Sequence, residues 1–440
     1  MDYLLNRYVF DYLPFQISDE LKKSISSSSM SVIKIADWFC KTQDLHNFIE
    51  NHFTFFAVEV LYIFLFIFTL VHAFRLGGRY IYTWLGIFML IILKEIVRFF
   101  EPAFDLQWHS QGVLSFCGGR IPISQIFGTQ QVFIYVSYVF AERMHLRRLG
   151  QSYAIAIGAL ILKLPFDFIG THFLWWTWDS NNPLTQEKIY GVPWIILAFD
   201  AFSIIEFNSA LTFTRKYIVK NSYNWKLFVR EFVCVALSAF YAFILSFCQT
   251  LFIYYLGIYT NVSFALITLT MLSFFAIVVF ICDRRNKEPE AFSSNPYWFD
   301  ELSLVVCIHF AFLLIIVFYN PVFIVSKGFH KPIGPCEEKT LFNQLPFSLD
   351  FKKSTYFCLK EQKNEFFDFH CIPGGKPEIN DYIVEWYTIC GNLSRSEHYS
   401  EYVALIWSLC ILGSLLLYQA AALSGRSKSF DSSTKKKKKD

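Results

Sequence analysis

Of 440 residues, 54% are hydrophobic and only 17% are charged, with 51 phenylalanines. A soluble chain of this length carries more charge and shorter apolar runs, so a water-soluble enzyme and a nucleic-acid-binding protein are both excluded. The net charge of +3 is uninformative as a total, and its distribution along the chain carries the information.

Residues 1–53 are mixed polar and aromatic, with a serine run at Ser26–Ser29. They lack the basic start, short apolar core and small-residue cleavage site of a signal peptide. Apolar runs of about 20 residues follow, the length needed to cross ~30 Å of hydrocarbon. We place about nine spans, near residues 54–74, 80–100, 122–142, 152–175, 192–213, 229–256, 262–282, 302–324 and 402–423. The sixth is long enough to tilt. The third is interrupted by Gln125, Gln130 and Gln131. The expected fold is an all-α, polytopic transmembrane helical bundle. Its divisions are an amino-terminal segment (1–53), spans one to eight (54–324), a loop with four cysteines (325–401), a last span (402–423) and a basic tail (424–440).

The loops set an orientation. One alternating set carries Arg75 and Arg79, then Arg143, Arg147 and Arg148, then Arg215, Lys216, Lys220 and Lys226, then Arg284, Arg285 and Lys287. The short loops of the other set hold little beyond Arg120 and Lys188. By the positive-inside rule the first set is cytoplasmic, which makes the amino terminus luminal or extracellular and the carboxyl terminus cytoplasmic. Loop 325–401 then faces an oxidising compartment, where Cys336, Cys358, Cys371 and Cys390 form two disulfides in one of three pairings. A metal site with His330, His370 or His398 is the rival, but no Cys-x-x-Cys spacing supports it, and no cofactor motif is present. Cys234, Cys248, Cys282, Cys307 and Cys410 read as small buried hydrophobes. Of two sequons on the same side as the loop, Asn392 is a better glycosylation acceptor than Asn261, which adjoins a helix end.

The tail ends in Lys435–Lys439 and Asp440. It reads as a polybasic cluster for anionic lipid, as a solvated topology determinant, or, through Lys437 and Lys438, as a dilysine retrieval signal. The last reading places this integral membrane protein in the endoplasmic reticulum rather than the plasma membrane.

Charged groups inside spans are costly, at ~2.5–3.5 kcal/mol on insertion scales, and face protein or water where they persist. Lys94, Glu95, Arg98 and Glu101 close the second span and read as a structural pairing network. Lys163 and Asp167 are one turn apart in the fourth span, and Pro165 between them frees carbonyls for a neighbour to satisfy. His172 follows a turn later, and Asp200 and Glu206 lie in the fifth span. These five residues either line one cavity, with Asp167, His172, Asp200 and Glu206 as catalytic candidates, or clamp two helices together. Trp175, Trp176, Trp178 and Trp194 read as an interfacial aromatic belt or, with Lys163, as the binding mouth for an elongated ligand.

The blocks Trp175-Trp176-Thr177-Trp178-Asp179 and Tyr190-Gly191-Val192-Pro193-Trp194 resemble those of an uncharacterised group of invertebrate multi-pass membrane proteins. In that group an Asp-x-Pro-Tyr-Asp-like turn precedes them. Here Leu164-Pro165-Phe166-Asp167 stands in that place, with Lys163 replacing the usual acid. The segment Phe133–Arg143 also fits, and the match spans roughly residues 120–215. The Tyr-Gly-Val-Pro-Trp block is similar, more distantly, to one in integral-membrane carotenoid hydratases. That resemblance implies water addition to an isoprenoid double bond, with Asp167, Asp200 or Glu206 as the carboxylate and His172 as proton donor. Two classes of function follow. One is a lipid- or isoprenoid-binding protein, possible as a hydratase-like enzyme. The other is a non-enzymatic scaffold, chaperone or channel subunit meeting a membrane-protein partner through its loop. The lack of internal repeats disfavours a transporter.

Overall fold

The computed structural model describes residues 35–36, 38–101, 105–144, 146–179, 182–219, 224–284, 301–341, 352–358, 366–377, 383–392 and 399–420. The dilysine pair and most of segments 1–53 and 424–440 lie outside these residues.

Helix α1 (Leu45–Leu76) starts at Asp44, whose carboxylate accepts from the His46 backbone N–H. A Gly77-Gly78 turn reverses the chain into α2 (Arg79–Phe100). Two short strands, β2 (Gln107–His109) and β3 (Leu114–Phe116), lead to β4 (Ile121–Pro122) and a single-turn helix α3 (Ile123–Ile126). Then come α4 (Thr129–Arg143), α5 (Arg148–His172), α6 (Trp194–Thr214), α7 (Phe228–Thr260), α8 (Phe264–Arg284), α9 (Glu301–Ile316) and α10 (Tyr399–Tyr418). Among the described residues, α1, α2, α5, α6, α7, α8 and α10 are the seven long and apolar enough to cross a membrane. The protein is therefore an integral, multi-pass membrane protein.

Two of the expected spans differ. The third is split at Phe127–Gly128 into α3 and the 15-residue α4. Helix α4 is buried from Gln131 to Ala141, with protein rather than lipid around it, so its polar residues find partners. Gln131 donates to the Trp84 carbonyl at 2.9 Å, and His72 pairs with the Tyr135 hydroxyl at 3.1 Å. The eighth span ends early, at Ile316, because Asn320 and Pro321 open a separate 3₁₀ turn. A helix interior does not accommodate that proline. Helix α8, by contrast, has few buried residues. Cys248 and Cys307 also lie on outward faces instead of in the core, where a weakly polar thiol suits lipid as well.

Helix α5 is the packing centre, touching α4, α6, α8 and α10. Pro165 lies inside it. The nearby Leu162 carbonyl accepts from His309 Nε2 of α9 at 3.0 Å, and His309 Nδ1 accepts from the Tyr62 hydroxyl at 2.6 Å. This relay ties α1, α5 and α9 together.

The polar segments fold over one end of the bundle. Strand β1 (Cys40–Thr42) pairs with β3, and β5 (Trp176–Trp178) pairs with β2. Strands β6 (Lys188–Ile189) and β7 (Val192–Pro193) form a hairpin whose two turn residues, Tyr190 and Gly191, both have positive φ. A two-residue type I′ turn demands that, and Gly191 meets it without strain. Pro193 then caps α6. Further on, β8 (Val325–Ile333), β9 (Lys339–Leu341), β10 (Lys352–Ser354), β11 (Phe367–Asp368) and β12 (Val384–Gly391) give a sheet of order β11-β12-β8 and a small β9-β10 ladder. Disulfides join Cys336 to Cys358 and Cys371 to Cys390. The second ties the segment after β11 to the neighbouring strand.

Candidate functional site

Three helices bring charge to one point inside the bundle. Lys94 lies late in α2, Lys163 and Asp167 lie a turn apart on α5, and Asp200 and Ser203 lie on α6. The Asp200 carboxylate is shared. Its Oδ1 accepts from Lys94 Nζ at 3.2 Å and its Oδ2 sits 3.2 Å from Lys163 Nζ. Lys163 also donates to Asp167, and Lys94 to the Ser203 hydroxyl at 2.8 Å. The Lys94 ammonium lies 5.0 Å from the centre of the Phe199 ring, within cation–π range. Beside this cluster, Glu95 holds Arg98 at 3.4 Å and accepts from Gln125 at 3.1 Å.

Of these groups, Lys94, Arg98, Gln125, Lys163, Asp167, Phe199 and Asp200 line a partly open cavity of about 130 Å³. Its roof is Leu106, Trp176, Trp178 and Leu184, all buried. Its side wall is apolar and half-buried, with Val97, Phe199, Phe243, Phe247 and Leu251 from α2, α6 and α7. Burying four charges is costly even when they are paired, and paired polar clusters are often no more stable than apolar replacements. A mostly apolar cavity with a few convergent polar groups is the composition that ligand pockets commonly have.

Trp176 is seated by a missing side chain. A Cβ on Gly170 would come within 2.2 Å of the Trp176 ring. Gly170→Ala is therefore expected to push the indole into the cavity. The check is a shift in Trp fluorescence with a loss of thermal stability of about 1–3 kcal/mol, the usual cost of overpacking.

The structure divides the residues singled out from the sequence. Lys163, Asp167, Asp200, Trp176 and Trp178 line the cavity. Four others lie elsewhere. His172 stacks on Tyr402 of α10 with ring centres 4.3 Å apart. Glu206 accepts from Gln249 of α7 at 2.7 Å. Trp175 is fully buried and donates to the Thr54 hydroxyl at 3.2 Å. Trp194 starts α6, outside the cavity wall. Lys94 is the residue missed. Its charge and depth were visible, but α2 and α6 are distant in sequence, so nothing placed them side by side.

The Trp-Thr-Trp-Asp block has a second task, also unforeseen. Asp179, directly after β5, accepts from Lys331 of β8 at 3.2 Å, with both side chains buried. The Tyr387 hydroxyl of β12 donates to the Lys331 carbonyl at 2.8 Å. Ser110 and Ser326 both reach the Leu174 carbonyl. The disulfide-bearing sheet is thereby fastened over the roof of the cavity. Burial in this layer lowers the pKa of His109 and His330 to about 3, so both are neutral at pH 7. Asp368, His370 and Cys390 cluster closely enough for a metal. However, the Cys390 sulfur is bonded to Cys371, so it offers no thiolate.

No curated protein and no solved structure matches the chain. A family model does. Residues 1–422 match the one described as Domain of unknown function (DUF7802), and the chain belongs to that family.

Proposed function

We propose that this is a membrane protein of the endoplasmic reticulum that holds a single-chain lipid or isoprenoid, with the lipid's polar end in the cavity between α2, α4, α5, α6 and α7. One observation carries the reading. The Asp200 carboxylate bridges Lys94 and Lys163 at the wall of a cavity whose remaining lining is largely aromatic and aliphatic. Water-facing ion pairs need no such walls, and a purely mechanical clamp needs no space beside it. The cavity roof is closed by buried tryptophans while the side toward α7 is half-buried and apolar, so the entry route is lateral, from the bilayer. The resemblance to carotenoid hydratases adds isoprenoids to the chain types considered.

In this reading the sheet-bearing end is luminal, in keeping with the arginine- and lysine-rich loops at the other end. The two disulfides and the Asn392 sequon belong to the same compartment. The dilysine pair Lys437 and Lys438 faces the cytoplasm and returns the protein to the endoplasmic reticulum.

Filling the side wall tests the site. In protein purified in mild detergent, Val97→Trp with Leu251→Trp is expected to cut co-purifying lipid about tenfold, which corresponds to ~1.4 kcal/mol of lost affinity. Mass spectrometry of the extract gives the readout, with a monodisperse elution profile as the folding control. Unchanged lipid content in a well-folded variant would overturn the proposal.

A further inference from the structure

We infer that the occupant's polar end is an uncharged hydroxyl group; this rests on reading the cavity as a lipid site and adds the chemistry of the end-group. Two sets of polar side chains reach the cavity, and they differ in how they are engaged. Every charged one is committed. Lys94 and Lys163 hold Asp200, Lys163 also holds Asp167, and Arg98 is held by Glu95, which accepts from Gln125. Three cations (Lys94, Arg98, Lys163) face three anions (Glu95, Asp167, Asp200), so the cluster has no formal charge to offer. A phosphate or an ammonium would add a net charge to a cluster that is already neutral, with no buried counter-charge left to offset it, and burying an uncompensated charge is costly.

The uncommitted polar groups are neutral. Among the described residues, Gln107, Thr129 and Gln130 line the cavity and enter none of the hydrogen bonds that hold the charged cluster. An amide offers two donors and an acceptor, and a threonine hydroxyl offers one donor and two lone pairs. A ligand hydroxyl both donates and accepts, so it is complementary to this set, whereas a carboxylate or an amine uses only half of it. The size agrees. Cavities that enclose whole small-molecule ligands run to ~300–1,000 Å³, so about 130 Å³ accepts an end-group and leaves the chain along the apolar side wall.

Three photoreactive probes with one shared alkyl chain separate the cases: hexadecanol, hexadecyl phosphate and hexadecylamine, each added to the full chain in nanodiscs. Labelled peptides are read by mass spectrometry. The alcohol is expected to label the α6 and α7 wall about tenfold more than either charged probe. In the Thr129→Val, Gln130→Leu double variant, still monodisperse, that labelling is expected to fall about tenfold. Equal or stronger labelling by the phosphate or the amine would overturn the hydroxyl assignment and leave the lipid reading standing. Absence of wall labelling by all three would overturn the lipid reading itself, and the assignment with it.

Discussion

Asp200→Ala is expected to destabilise the protein by about 3–5 kcal/mol, the cost of leaving a buried charge without its partner. The figure belongs at the upper end because two ammonium groups lose their shared carboxylate at once. Of their hydrogen bonds, Lys94 keeps only that to the Ser203 hydroxyl, and Lys163 only that to Asp167. The measurement is the temperature at which half the protein leaves the monodisperse peak after heating in detergent. A charge-free variant makes the comparison informative. Lys94→Met, Lys163→Met, Asp167→Leu and Asp200→Leu together remove all four charges, and buried networks replaced in this way are commonly neutral or stabilised by 1–4 kcal/mol. That variant is expected to be at least as stable as the natural chain. A four-fold variant that is badly destabilised would instead mean that the network's contribution to the bundle is mechanical.

The second large effect lies in the layer above the cavity. Asp179→Ala leaves Lys331 buried at 6% exposure without its carboxylate, again at a cost of about 3–5 kcal/mol. The cost is local, since it is levied on the docking of the β11-β12-β8 sheet, not on helix packing. Limited proteolysis is therefore the sensitive measurement. Cleavage within residues 325–391 should accelerate while the helices persist, because the docking of the sheet then relies on its remaining polar contacts, among them the Gln111 N–H to the Lys327 carbonyl and the serine contacts to Leu174. Asp179→Leu with Lys331→Met should recover much of the resistance. If single and double variants are cleaved at the natural rate, the ion pair does not fasten the sheet.

The sequence made the membrane class plain, because runs of about 20 apolar residues have no other common explanation. It also made the Lys163–Asp167 pair legible, since residues four apart on a helix share a face. What it could not show were contacts between elements far apart in the chain. Lys94 meets Asp200 across 106 positions and Asp179 meets Lys331 across 152. Neither pair has a local pattern, because the geometry that joins them is set by packing of the whole bundle. The tryptophans were misleading in part. Trp175 looks like its neighbours in the sequence, but a left-handed turn at Leu174 sends it into the core while Trp176 and Trp178 line the cavity. Sequence position alone does not distinguish an interfacial indole from a buried one.

The shortness of α4 matters for how the protein is made. Its 15 residues reach about 22 Å at 1.5 Å per residue, less than the hydrocarbon thickness, and its Gln131 amide donates to a carbonyl on another helix. Judged alone during synthesis, such a segment has little reason to leave water for lipid. Helix α5, which follows after a brief link, is long and apolar and packs against α4 along its length. Insertion of α4 is thus a passenger event, driven by its successor and completed when α1 and α2 have closed around it.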